Sequence, residues 1–405
     1  MSDVVTLAEA CVKIVDCEHK TAPHAATGAE YGYLVGTPHI RSGRILLDAA
    51  KRVDQETYQS WTAREVPRGD DLILAREAPV GQVGRITSGQ KICLGQRTVL
   101  LRPDVAKVDP RYLHYLLLSP AVQETMASKA AGSTVAHLNV KDIRELPLPS
   151  LPNRSYQMAV ADLLAALDDK IAINGRISAT ADALSHALFS QQFDTPAGSY
   201  RSGWTPGLLS DICSTQYGYT ATSTAASVGP RFLRVKDINK NNWITWPEVP
   251  YCEIDDRNLD KYRLSVGDLL VARMADPGKS AIVEEPTDAV FASYLVRLKT
   301  ASLAHSYFVW GFLKSDVYRK YAESARSGSV QANMNAKVIV GAELLIPPTE
   351  LMETYLGTVM PLRRRLTTAL RESQSLATLR DTLLPQLMSG RIRVKEAEKI
   401  VEDNT

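Results

Sequence analysis

Two stretches of the chain carry apolar residues at alternating spacings of three and four, the signature of a helix that buries one stripe. In the first, roughly Ser155 to Phe189, the stripe runs through Val160, Leu164, Leu167, Ile171, Asn174, Ile177 or Ser178, Ala181, Leu184 and Leu188. In the second, about Thr349 to Met388, it runs through Met352, Tyr355, Val359, Leu362, Leu366, Ala369, Ser373, Leu376, Leu379, Leu383 and Leu387. At ~1.5 Å per residue, helices of this length are rods of roughly 50 Å. Two such rods in one chain can bury their stripes against each other as an antiparallel pair, a rigid spacer. Pro361 lies inside the second and is expected to bend it or mark a late start. Asn174, polar within the stripe, either fixes helix register or belongs to a solvent-exposed turn.

Ahead of each long helix, short apolar runs broken by Gly, Pro, Asn and Asp read as strands and turns, with Val66-Pro-Arg-Gly-Asp-Asp-Leu-Ile-Leu-Ala75 as the type example. Pro110 to Ser119 reads as a shorter helix. These regions repeat. Asp71-Leu-Ile-Leu-Ala-Arg76 is matched by Asp268-Leu-Leu-Val-Ala-Arg273. Gly132-Ser133 with Asn139-Val-Lys141 is matched by Gly328-Ser329 with Asn335-Ala-Lys337. Glu145-Leu-Pro-Leu-Pro149 is matched by Glu343-Leu-Leu-Ile-Pro347. The offset stays at 196 to 198 residues, so order and spacing are both kept. Internal self-similarity of this kind means the same supersecondary plan built twice. Gly198 to Trp204 reads as the linker that restarts the plan, and residues 391–405 as a charged C-terminal tail, mobile at its end.

A chain of 405 residues with 45% apolar and 23% charged residues is long enough for two or more globular domains. It has no apolar run near the roughly 20 residues of a membrane span, and its start lacks the pattern of a secretory signal, so a cytoplasmic location is expected. Cys11, Cys17, Cys93, Cys213 and Cys252 form no Cys-x-x-Cys pair and read as reduced and mostly buried. A net charge of +2 neither suggests nor excludes nucleic acid. If DNA is bound, the basic groups must be concentrated on one face.

Glu145-Leu-Pro-Leu-Pro149, followed by Gln157-Met-Ala-Val-Ala-Asp-Leu-Leu-Ala-Ala-Leu-Asp-Asp-Lys-Ile171 with Asn174, resembles the central repeat of the specificity subunits of type I restriction–modification systems. Leu384-Pro-Gln-Leu-Met-Ser-Gly-Arg-Ile-Arg-Val394 resembles the close of their distal repeat, and the Gly-Ser…Asn blocks resemble the end of a target recognition domain. The resemblance covers nearly the whole chain; Asn153-Arg-Ser-Tyr156 and Pro361 depart from it and leave the helix starts open. It implies an α+β protein. Residues 1–150 form a first recognition domain, 151–192 a central long helix, 193–348 a second recognition domain and 349–390 a distal long helix, with the helices paired as an antiparallel coiled coil. It also implies partners: double-stranded DNA, two modification subunits that carry S-adenosylmethionine and methylate adenine, and restriction subunits. On this reading the chain itself binds no cofactor or metal, and its helices hold the partners through Leu164, Leu167, Ile171, Leu184, Val359, Leu362, Leu366, Leu376 and Leu383.

The residues agree that chemistry is sparse. An adenine methyltransferase needs an Asn/Asp-Pro-Pro-aromatic loop and a Gly-rich cofactor turn, and neither occurs. Gly278-Lys279-Ser280 lacks the phosphate-loop glycine, whose place is taken by Arg273. Asp255-Asp256 and Glu284-Glu285 read as surface acids, and Arg363-Arg364-Arg365 as a solvated helix face or, alternatively, a contact for a modification subunit or DNA phosphates. The candidates for DNA contact are polar and basic side chains on turns. In the first half these are Thr37, His39, Arg41, Ser42, Arg44, Arg76, Ser133, Thr134, His137, Asn139 and Lys141. In the second they are Arg234, Lys236, Asn239, Lys240, Asn241, Arg273, Lys279, Ser329, Gln331, Asn333, Asn335 and Lys337. Arginine suits guanine edges and Asn or Gln suits adenine, while lysines suit phosphates. Against this, Arg76 and Arg273 match in both halves and so read as shared structural ion pairs more readily than as base readers. Asn139 and Asn335 recur in the same way and read as turn or capping residues. Trp243 and Trp246 are either stacking platforms or partly buried. The rival functions are a fragment of a fused restriction–methylation enzyme and an orphan that docks modification subunits without reading DNA.

Overall fold

In the first half the carboxylate of Asp71 closes a turn by accepting the Arg68 amide at 3.0 Å, and the chain leaves that turn as a strand with all four residues buried. We label the strands β1 (Cys11–Asp16), β2 (Leu72–Ala75), β3 (Val83–Arg85) and β4 (Thr98–Pro103). They form one sheet in the order β1-β4-β2-β3, antiparallel throughout. The alternation of strand side chains divides β2 between two cores. Leu72 and Leu74 face a core with helices α1 (Pro110–Leu118) and α2 (Pro120–Ala130), whereas Ile73 and Ala75 face a smaller core under Val35, Ile40 and Ile92. Asp109 starts α1 by accepting the amides of Arg111 and Tyr112, with Pro110 at the first helical position.

The computed structural model describes residues 5–131, 136–194, 201–326 and 333–404. Four of the sequence candidates, Ser133, Thr134, Ser329 and Gln331, lie outside the described residues. The chain divides into two compact units, Met1–Ile171 with Gln374–Thr405, and Ala172–Ser373. Each unit therefore owns a segment of both long helices, which run over Arg154–Phe193 and Thr349–Met388.

Within the first unit the helix segments are antiparallel. The Tyr156 hydroxyl donates to the Leu387 carbonyl at 3.0 Å, and Arg380 donates to Asp168 at 2.6 Å. Leu164, Leu167, Leu376, Leu383 and Leu387 share one core with Leu72 and Leu74, and Ile171 packs at its edge. The charged tail departs from its expected mobility: Val394–Glu402 is a helix, with Ala397 fully buried and Ile392, Val394 and Val401 packed on the same core. Its charges line one side and its few apolar residues the other, so burial of that stripe orders it.

The second unit repeats the sheet with β5 (Cys213–Tyr217), β6 (Leu269–Ala272), β7 (Ser280–Ile282) and β8 (Leu295–Thr300), again antiparallel in the order β5-β8-β6-β7. Asp268 accepts the Ser265 amide at 3.0 Å, as Asp71 accepts that of Arg68. Each aspartate also anchors a buried arginine, Arg102 at 2.7 Å in the first unit and Arg297 at 3.2 Å in the second. Helices α3 (Leu303–Lys314) and α4 (Asp316–Arg326) cover the sheet.

Three expectations for the helix stripe change here. Pro361 does not delay the second helix, which runs unbroken from Thr349; the carbonyl that loses its donor is that of Gly357, four residues earlier, where no side chain hinders local adjustment. Leu184 is 45% exposed and Ser185 holds the buried position instead. The stripe continues through Ser178, Ala181, Ser185, Phe189 and Phe193, so polar residues complete a pattern that hydrophobicity alone misplaces. On the second helix Val359 and Leu366 are fully buried while Leu362 is only half-buried, because Arg363 turns inward. Asn174 is fully buried in the stripe and donates to Glu372 at 2.9 Å, which excludes the exposed-turn reading.

Arg363, read from sequence as solvated, is 1% exposed. It donates to Asp182 at 2.6 Å and twice to Glu284 at 2.7 Å, and it lies 4.5 Å from the ring centre of Trp310. Glu284 is therefore not a surface acid but one leg of a buried triad.

Leu167→Asp and Leu366→Asp each place a carboxylate in a dry helix stripe and are expected to cost roughly 3–5 kcal/mol; circular dichroism melts of the single variants that match the parent would refute the burial of the stripe. His114 is wholly buried, and burial pushes its imidazole down to about 4. Its folded value lies below the unfolded one, so the stability it confers is full above about pH 6.5 and is lost as pH falls towards 4. His114→Leu is expected to flatten the acid limb of a stability–pH curve across that window.

Candidate nucleic-acid interface

Both units carry a hairpin loop of the same length, closed by equivalent hydrogen bonds, after the central strand. In the first, Gly81 donates to the Ala75 carbonyl and Ala75 to that of Gln82, at 3.0 and 2.8 Å; in the second, Gly278 donates to Ala272 and Ala272 to Lys279, at 3.0 and 2.7 Å. Ala78 and Ala275 both take positive φ, of 47° and 64°. Arg76 and Arg273 open this loop at the same place. The backbone carbonyl of each accepts the amide of the residue before the matching Asn, Leu138 at 3.0 Å and Met334 at 2.9 Å.

The side chains diverge. Arg76 is 7% exposed, and its guanidinium holds both oxygens of Asp16 at 2.9 and 3.0 Å and the Leu138 carbonyl at 2.8 Å. Its remaining edge donates to Nε2 of His137 at 2.8 Å. Arg76 has no acceptor capacity, so Nε2 must accept and the His137 proton sits on Nδ1, which donates to Glu77 at 2.7 Å. Arg273 is half-buried, and among the described residues it makes no ion pair. It lies 5.0 Å from the Tyr217 ring centre and reaches Asn333 only at 3.5 Å.

Asn139 and Asn335 begin short helices, Val140–Arg144 and Ala336–Ile339. Asn335 accepts the Val338 amide at 2.9 Å, a capping role; Asn139 instead donates to Asp142 at 3.2 Å. Lys141 and Lys337 are exposed beside them.

Of the other first-half candidates, Thr37 is buried, while His39 is half-buried with Nδ1 accepting the Gly36 amide at 3.0 Å. Burial lowers the His39 pKa and so favours its neutral form. Arg41 and Ser42 are exposed on a hairpin whose two turn residues, Ser42 and Gly43, both have positive φ. Arg44, across that hairpin, is drawn away from solvent to the backbone carbonyl of Asp168. In the second half Arg234 is held by both oxygens of Asp237, at 2.8 and 2.9 Å. Lys236, Asn239, Asn241, Lys279 and Asn333 are exposed, and Lys240, also exposed, pairs with Glu248 at 3.2 Å. Trp243 and Trp246 are half-buried.

The sequence reading passed over Asp16 and Tyr217, the residues that decide what the two loop arginines do. It also passed over Lys91 stacked on Tyr31 and Arg52 on Tyr33, at 3.8 and 4.1 Å from the ring centres. The interleaved aromatic and basic residues were the only available sign of them. Among the described residues no group of three or more His, Cys, Asp or Glu side chains converges as a metal site, and no helix is long and apolar enough to cross a membrane.

The two units thus repeat one sheet plan and differ in the side chains around the equivalent loop. Residues 15–182 match the family model of the type I restriction modification DNA specificity domain. The chain is 22% identical over 368 residues to the type I restriction enzyme MjaIX specificity subunit of Methanocaldococcus jannaschii, covering 85% of this chain and 83% of that one. It is 21% identical over 367 residues to the HindI specificity subunit of Haemophilus influenzae, covering 73% and 80%. Its fold is similar to the crystal structure of the type I restriction–modification S subunit from M. genitalium, with a TM-score of 0.58, 14% identity and coverage of 96% and 97%. Over residues 15–182 the chain matches that family, and over most of its length it is similar to type I restriction–modification specificity subunits.

Arg76→Ala strips the partner from Asp16 and is expected to destabilise the first unit by roughly 2–4 kcal/mol. Arg273→Ala is expected to cost under about 1 kcal/mol. Urea unfolding of the two variants measures the difference, and equal losses would make both arginines scaffold.

Proposed function

We propose that this chain is the sequence-reading subunit of a type I restriction–modification complex and carries no catalysis of its own. It reads a bipartite, asymmetric double-stranded DNA site, one half per recognition domain. The observation that carries this is the pairing of equivalent loop-closing hydrogen bonds with unlike side chains in the two units, around Arg76 and Arg273. A shared scaffold with different linings is what two different half-sites require, because bases are told apart by the donors and acceptors presented to them.

The long helices are the docking element for two modification subunits, which hold S-adenosylmethionine and flip out an adenine in each half-site. Ile173 and Leu184 support this reading: both are exposed apolar residues on a helix, beside Ile177, Ala181 and Leu362. Restriction subunits join the same assembly. The exposed Lys141, Lys236, Lys279 and Lys337 suit phosphate contact, so affinity falls steeply with salt.

Single-molecule methylation sequencing of cells with and without the gene tests the reading. Deletion is expected to erase one split, asymmetric adenine-methylation motif. An unchanged methylome sinks it and leaves an orphan subunit.

A further inference from the structure

The two loop arginines occupy equivalent places in the two sheets, so their surroundings can be compared position by position. Asp16 lies opposite Val99, which lies opposite Leu74. Tyr217 lies opposite Val296, which lies opposite Val271. Asp16 and Tyr217 are thus the same position on the edge strand. Arg97 and Tyr294 are likewise equivalent, since their carbonyls accept the Arg76 and Arg273 amides at 2.8 and 3.0 Å. Glu77 and Met274 follow the arginines directly. His137 and Asn333 each precede the residue whose amide the arginine carbonyl accepts.

In the first unit these four positions hold Asp16, Glu77, Arg97 and His137. The two carboxylates take up both arginines: Asp16 holds Arg76, and Glu77 lies 3.1 Å from Arg97. In the second unit they hold Tyr217, Met274, Tyr294 and Asn333, with no acid among them. Among the described residues Arg273 consequently has no counter-ion, and it lies beside two tyrosines that are 43% and 57% exposed. Its Nε is buried with no hydrogen-bond partner among the described residues. The Tyr217 ring is itself held, its hydroxyl accepting the Ala336 amide at 3.0 Å.

The geometry points to Arg273, laid on the Tyr217 ring, as a base-reading residue of the second recognition domain that recognises a guanine edge, whereas Arg76 is locked by Asp16 as scaffold and reads nothing. This rests on the reading of the chain as a DNA-specificity subunit. A guanidinium fork matches O6 and N7 of guanine together, which a single ammonium does not. Stacking on a fixed ring holds the fork in place before DNA arrives, so less freedom is lost on binding. Among the described residues no carboxylate has to be displaced first, whereas in the first unit Asp16 would.

The test is the methylation motif written in cells by the complete complex containing each full-length variant. Arg273→Ala is expected to make one G·C position of one half-site degenerate, with discrimination there falling on the order of tenfold or more, and to leave the other half-site intact. Arg273→Lys keeps the charge and the stack but not the fork, and is expected to give the same degeneracy; it also separates lost reading from lost folding. Tyr217→Asp installs the lock of the first unit and is expected to do likewise, while Tyr217→Phe keeps the motif sharp. A motif that stays sharp in Arg273→Lys, or methylation that weakens evenly at all sites, makes Arg273 a phosphate contact and overturns the inference. A sharp motif in Tyr217→Asp overturns it as well. A parent complex that writes no split motif is a different failure, that of the specificity-subunit reading itself.

Discussion

An apolar helix stripe must be buried, and in each unit of this protein the stripe is buried in the same core as the recognition sheet. Leu164, Leu167 and Leu383 of the long helices sit in one cluster with Leu72 and Leu74. Phe189, Tyr355 and Val359 sit in another with Leu269 and Val271. Close-packed cores transmit strain and resist sliding, so each sheet is held at a set angle to its own helix segments. On the proposed function the reading of a split site depends on that angle, because the loops would have to meet bases in a groove without adjusting.

Buried polar groups sharpen the fit. Arg363 with Asp182 and Glu284 ties both helix segments of the second unit to the end of a sheet strand. In the first unit Asp168 takes Arg380 at 2.6 Å and the Tyr115 hydroxyl at 2.7 Å, which ties both helix segments to α1. Such groups contribute little net stability, since removing charges from water offsets their attraction. They do penalise every alternative packing, because a shifted helix would strand a charge in a dry core. The same logic applies to Asn174, whose amide finds Glu372 in only one register.

The recognition surface follows the opposite rule. The hydrogen bonds that close the loops at Arg76 and Arg273 are equivalent, yet the neighbours that set their electrostatics share almost nothing. A scaffold so determined by hydrogen bonds and positive-φ residues tolerates replacement of the residues around it. One arginine can therefore be structural and its counterpart free.

The repeat, the strands with their Asp-capped turns and the two long helices were legible in the sequence because they rest on local pattern: a spacing of three and four, an apolar run after a turn, an order of blocks kept over half the chain. What local pattern cannot carry is the pairing of residues far apart. Leu184 and Arg363 were misplaced because a stripe completed by Ser185 and an inward-facing arginine depends on Asp182, Glu284 and Trp310, up to 181 residues away. The charged tail looked loose because its partners, such as the segment around Leu384 and Leu387, become a core only after folding. The contrast between Arg76 and Arg273 was hidden in the same way. Matching strings in the chain acquire different chemistry from Asp16 and Tyr217 on an edge strand, and only sheet register brings those residues alongside. The sequence by itself determined the elements and their repetition, since those follow from neighbours along the chain; which charges are buried and which side chains remain free was decided by tertiary structure, since those depend on neighbours in space.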